Sequence, residues 1–205
     1  NRAPVGTLLN KIGVMTAILL TASKSALTTS KAWGFHSVLQ LADNAEQTIP
    51  FETRSIENVS QSEVVAFIHH ILSSECGMRV RRQLESSVAQ FFEHFDTNTH
   101  LFTAYYDNDR LCGLLGVNFR SETTAILKWI FVAQEARNKG LGSYLIDSAI
   151  SFAHQTGYQR LILCTATKME AAHYLYRKKG FVFKEDVTFW RRPMKILECD
   201  LSTVS

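Results

Sequence analysis

Six consecutive residues, Arg137-Asn138-Lys139-Gly140-Leu141-Gly142, followed at once by Ser143, have the makings of an anion cradle. Glycines at 140 and 142 let the main chain approach a ligand with no Cβ in the way. A helix starting here would leave its first amides without intrahelical acceptors and aim them, with the helix dipole, at one spot that favours negative charge. Arg137 and Lys139 can add positive charge near a pyrophosphate, and the Ser143 hydroxyl falls in the first helical turn. Taken alone, a Gly-x-Gly between strand and helix is equally a tight turn. Two competing phosphate motifs are not met, since neither G-x-G-x-x-G nor G-x-x-x-x-G-K-[ST] occurs here.

A second constellation follows one expected helix and one expected strand later: Ala171-Ala172-His173-Tyr174-Leu175-Tyr176-Arg177-Lys178-Lys179-Gly180-Phe181. Together the two resemble the GNAT superfamily of acyl-CoA-dependent N-acyltransferases, which carries (Gln/Arg)-x-x-Gly-x-(Gly/Ala) at its pyrophosphate loop and Ala-x-x-Leu-Tyr-x-x-x-Gly-Phe on a later helix. Residues 125 to 185 are most similar to the acetyltransferase modules fused to MarR-type regulators. The likeness is thinner from 51 to 124.

The resemblance implies an N-acetyltransferase with acetyl-CoA as co-substrate. It assigns the pyrophosphate to Arg137, Asn138, Lys139, Gly140, Leu141, Gly142 and Ser143, and pairing with the pantetheine arm to the backbone of Ile130 and Val132. The Val132 N–H would polarise the thioester carbonyl. Tyr176 matches the family acid that protonates the departing thiolate, a role open to a phenol whose ordinary pKa is about 10. Tyr174, on another helix face, reads as packing, and His173 as structural or solvent-facing. Two departures stand out: Gln134 replaces a common proline, and Met169 replaces an asparagine that often helps hold the cofactor. The acceptor must arrive as a neutral amine, yet no base is assignable. Lys128 occupies the place nearest to a family glutamate and cannot act as a carboxylate, while Glu122 and Glu135 read as surface charges.

These residues need a scaffold, and the chain supplies its pattern. Residues 51–56 read as a strand. Ser60 is a suitable N-cap for a helix with Val64, Ile68, Ile71 and Leu72 on one face, ending near Gly77. A second helix spans about 79–95, and its basic start, Arg79 to Arg82, reads as a solvated face. Leu101 to Tyr106 and Leu111 to Phe119 form a hairpin about the Asp107-Asn108-Asp109 turn. A strand at 124–132 leads into the glycine loop and a helix reaching about Thr156, with Gly157 as its stop. Residues 160–165 form an apolar strand within the sheet. A helix at 169–179 is stopped by Gly180, and strands at 181–185 and 195–201 close the domain. This order describes an α+β sandwich with a mixed sheet over residues 51–205, for which the resemblance implies the GNAT-type, mainly antiparallel sheet flanked by helices. Phe189 to Arg192 could frame an acceptor pocket or form a hairpin tip.

The 205 residues carry a net charge of +3 that is unevenly distributed. Residues 1–42 hold Arg2, Lys11, Lys24 and Lys31, nine Ser or Thr and no acid, which leaves 18 basic and 19 acidic residues in the remainder. A near-neutral domain has no broad basic surface, so nucleic acid is not an expected partner. Residues 1–50 read as an N-terminal extension whose composition suits an organellar, plastid-type presequence or transit peptide, with a cytoplasmic location as the alternative. The apolar run Ile12 to Leu20 is too short to span a bilayer, so no stable membrane insertion is expected. Cys76, Cys112, Cys164 and Cys199 have neither zinc nor disulfide-framework spacing, and no metal site is expected. The reading is acetyl transfer to a small-molecule or protein amine by a monomer or homodimer; the alternative is a catalytically inactive acyl-CoA-binding regulatory module.

Overall fold

Ser60 begins the first helix as its sequence suggests. In the computed structural model, which describes residues 49–189 and 192–203, its Oγ accepts the Glu63 N–H at 3.2 Å and opens α1, Gln61–Cys76. Gly77 ends the helix at φ 63°, where the Met78 N–H reaches back to Leu72 O at 2.9 Å in a Schellman-type closure. The stripe Val64, Val65, Ile68 and Ile71 is buried. Helix α2, Arg81–Glu93, buries Leu84, Val88 and Phe91.

Seven strands form one sheet: β1 (Glu52–Arg54), β2 (Leu101–Asp107), β3 (Arg110–Ser121), β4 (Thr124–Val132), β5 (Arg160–Ala166), β6 (Val182–Phe189) and β7 (Arg192–Asp200). Their spatial order is β1-β2-β3-β4-β5-β7-β6. Only β4 and β5 are parallel, joined through α3, Leu141–Gln155. The β2–β3 turn places Asn108 at φ 48° and Asp109 at φ 61°, the left-handed pair that a two-residue hairpin requires. Helices α1 and α2 pack on one face over Phe102, Ala104, Leu114 and Trp129. On the other face, α3 and α4 (Glu170–Lys178) enclose a core that includes Leu115, Val117, Leu127, Leu145, Leu161 and Phe181.

The first strand is shorter than the 51–56 expected, because Ile56–Asn58 turn into a 3-10 helix. The closing hairpin is longer than expected. β6 is an edge strand that exposes much of its surface, so its apolar pattern fades after Glu185 while its pairing with β7 continues to Phe189 opposite Arg192. Of the presequence expected over residues 1–50, residues 1–48 lie outside the described residues.

Candidate active site

The sheet opens where its single parallel pair begins. β4 and β5 are in register only over Thr124–Leu127 and Arg160–Leu163, and both strands then run on without pairing each other. The opening coincides with a bulge: Leu127 faces Val117 and Trp129 faces Gly116, so Lys128 is the extra residue. Strand geometry decides which backbone groups line the gap. The Ala133 N–H donates to Cys112 O at 2.8 Å, continuing the ladder with β3. By alternation, the N–H and C=O groups of Val132 and Ile130 face away from β3, into the opening.

The loop after β4 makes a short 3-10 turn at Gln134–Ala136, passes Asn138 at φ 61° and Gly140 at φ 83°, and enters α3 at Leu141. No side chain caps this helix start and no acid lies in its first turn. The amides of Leu141, Gly142 and Ser143 are therefore available to an anion. A Cβ on Gly142 would lie 3.4 Å from Leu175 Cδ2 and 3.9 Å from Val132 Cγ2, so the loop, α4 and the end of β4 meet here. The Leu141 side chain is core, 1% exposed, and only its backbone belongs to the site. Around Gly140 the space is empty, and its requirement is the dihedral alone. Gly140→Val is accordingly expected to lose about 1–3 kcal/mol of stability, with Gly140→Asn losing less, in urea unfolding of the two variants.

Arg137 is not aimed at the helix start. Its guanidinium turns back to donate to Val132 O, from Nε at 3.1 Å and Nη2 at 3.0 Å, and it also bonds Glu75 near the end of α1. It clasps β4 to α1, a role that sequence spacing does not reveal because Glu75 lies far away in the chain. Lys139 Nζ sits 3.9 Å from Asp107 Oδ2 and 5.9 Å from the centre of the Phe51 ring, on the outside of the loop.

Tyr176 lies one residue beyond the Leu175 contact with the loop. Its side chain is buried, its ring centre is 5.8 Å from that of Phe181, and among the described residues its hydroxyl has no hydrogen-bond partner. Burial alone pushes its pKa well above the ordinary tyrosine value, so the phenol keeps its proton. Tyr174, expected to pack, is instead 65% exposed, since two residues along a helix is more than half a turn. His173 is buried with Nε2 unpartnered, and burial lowers its pKa and holds the ring neutral.

Of the acids considered as bases, Glu135 is exposed and pairs with Arg110 at 3.1 Å, and Glu122 lies in the exposed β3–β4 turn. Neither faces the gap. Lys128 does something that its sequence context hides. Its Nζ lies 5.3 Å from the Trp129 ring centre and 5.7 Å from that of Phe91, with no carboxylate partner among the described residues. Burial draws its pKa down from 10.5 to about 8.

Comparison with known proteins bears on the family and the fold. The family model described as Acetyltransferase (GNAT) family matches residues 65–181. An uncharacterized N-acetyltransferase of Methanocaldococcus jannaschii is 32% identical over 78 residues, which are 38% of this chain and 34% of the relative. The chain thus spans about a third of the length of that relative. Among solved structures, an acetyltransferase from Streptococcus agalactiae superposes with a TM-score of 0.65 at 21% identity, over 73% of this chain and 98% of its own. The PaiA N-acetyltransferase of Thermoplasma acidophilum, solved in complex with coenzyme A, gives a TM-score of 0.55 at 18% identity, over 73% of this chain and 98% of its own.

Proposed function

The chain belongs to the GNAT acetyltransferase family, and we propose that it moves the acetyl group of acetyl-CoA directly onto a primary amine. The observation that carries this reading is the meeting of the end of β4, the uncapped start of α3 and the α4 residue Leu175 at Gly142, with Tyr176 next along that helix. The pyrophosphate of acetyl-CoA binds the amides of Leu141, Gly142 and Ser143, and the pantetheine arm follows Ile130 and Val132. With the Val132 N–H polarising the carbonyl, a neutral amine forms the new C–N bond as the C–S bond breaks. Tyr176 gives its proton to the thiolate, and the surplus proton of the amine leaves with a base. No covalent enzyme intermediate is required. We also read residues 125–185 as most like the modules fused to MarR-type regulators, and the acceptor as a small-molecule or protein amine. We also propose that residues 1–50 address the chain to a plastid or another organelle; a fluorescent protein fused behind them that stays in the cytosol would refute this.

Thiol release over a panel of primary amines, paired with calorimetric binding of acetyl-CoA, tests the reading. Acetyl-CoA binding together with amine-dependent thiol release is expected. Binding without turnover on any amine would make the chain an acyl-CoA-binding module instead. Glu122 and Glu135, the two acids considered as bases, stand away from the gap, and this gives that second reading its force.

A further inference from the structure

We infer that the acceptor carries an anionic group, a carboxylate or a phosphate, which Arg79 and Arg192 bind at the rim of the opening; this rests on the transfer reading above. A cavity of about 360 Å³ is lined by Gly77, Met78, Arg79, Val80 and Arg192. Its two walls come from distant parts of the chain, the connection between α1 and α2 and the first residue of β7. Arg192 Nη2 donates to Gly77 O at 3.0 Å and ties them together.

The cavity is linked to both diverging strands. Met194 lies opposite Ala166, and the Thr167 N–H donates to Pro193 O at 3.2 Å, which sets Arg192 just past the free end of β5. On the other wall, Glu75 precedes Gly77 by two residues and binds Arg137, whose guanidinium also holds Val132 O at the end of β4. An acceptor anchored in this cavity therefore stands beside the gap where the thioester must lie.

The charge around the cavity is one-sided. No Asp or Glu lines it. Arg81 is offset by Glu85 at 3.1 Å and Glu75 by Arg137. Arg79, Arg82 and Arg192 have no carboxylate partner among the described residues. Only one of the five donors of Arg192 is used by Gly77, and the planar guanidinium fork suits a carboxylate or a phosphate. The first turn of α2 holds Arg81 and Arg82 and no acid, an arrangement that the helix dipole disfavours until an anion arrives. Buried Met78 and Val80 give the site an apolar backing, which strengthens charge pairing. The basic run that reads as a solvated face in the sequence is thus half of a site whose other half, Arg192, is supplied by β7.

Matched acceptors at saturating acetyl-CoA test the inference: ω-amino acids of increasing length against their amides, and phosphoethanolamine against ethanolamine. The anionic member of at least one pair is expected to have about tenfold higher kcat/KM, and the better pair identifies the anion. That preference should fall about fivefold or more in Arg79→Gln and in Arg192→Gln, survive in part in Arg192→Lys, and shrink between about 0.05 and about 0.5 M salt. Equal rates on charged and neutral partners would overturn the acceptor inference while leaving the transfer reading in place. So would a loss of coenzyme A affinity in Arg79→Gln, which would give the cavity to the co-substrate. No transfer to any amine would overturn the transfer reading itself, and the inference with it.

Discussion

Tyr176→Phe is expected to lower kcat by about 10²–10⁴-fold, the range typical of a lost general acid, with acetyl-CoA affinity changed by no more than about threefold. The substitution removes one oxygen from a buried ring. The packing against Phe181 survives, and among the described residues no protein hydrogen bond is broken. Stability should therefore move by less than about 1 kcal/mol. The sign of the pH effect also follows. Because burial raises the pKa of Tyr176, the phenol remains protonated beyond the pH at which a free tyrosine ionises. The wild-type rate should not fall on that account as pH rises from 8 to 10, and the Phe variant should be slow across the same interval. Initial rates with a good amine, alongside isothermal titration of acetyl-CoA, give both numbers. Equal turnover by the two proteins would remove Tyr176 from the chemistry.

Where the site depends on local chain properties, the sequence displays it. Gly140 stands at φ 83° because the strand-to-helix turn demands it, and Gly157 and Gly180 end their helices at φ 89° and 86° for a related reason. The strand expected at 124–132 has those bounds in the structure, since its apolar run ends at a loop with its own turn chemistry. What stayed hidden depends on partners distant in the chain. Arg137 looks like a phosphate ligand until Glu75 and Val132 O are found within its reach. Arg79 looks solvated until Arg192 is brought across to Gly77. Lys128 looks like a poor substitute for an acid until Phe91, on α2, is seen beneath its ammonium. In each case the residue type was legible and its electrostatic surroundings were not, because those are set by the packing of α1, α2 and β7.

Lys128→Met should make the protein more stable at pH 7, by about 2–3 kcal/mol. Lowering the pKa from 10.5 to about 8 corresponds to roughly 3 kcal/mol held against the charged form at 1.36 kcal/mol per tenfold. The two ring contacts, both near the outer limit for a cation over an aromatic face, return about 1 kcal/mol of this at most. Methionine keeps the length of the aliphatic stem and needs no water. The folded pKa lies below the unfolded one, so between pH 8 and 10.5 the unfolded chain binds more protons and stability rises with pH. Below pH 8 both states are protonated and the penalty is complete. Urea titrations at pH 7 and pH 10 should show the wild type gaining on the Met variant across that window, and parallel curves would show that Lys128 is not desolvated. Lys128 stands at the bulge where β4 leaves β5, and a lysine with no carboxylate partner among the described residues, its pKa drawn down to about 8 there, is suited to proton transfer. The stabilised variant is accordingly expected to be the slower enzyme, by about tenfold or more in kcat/KM at pH 8. A variant both more stable and equally fast would leave Lys128 with no function at the site.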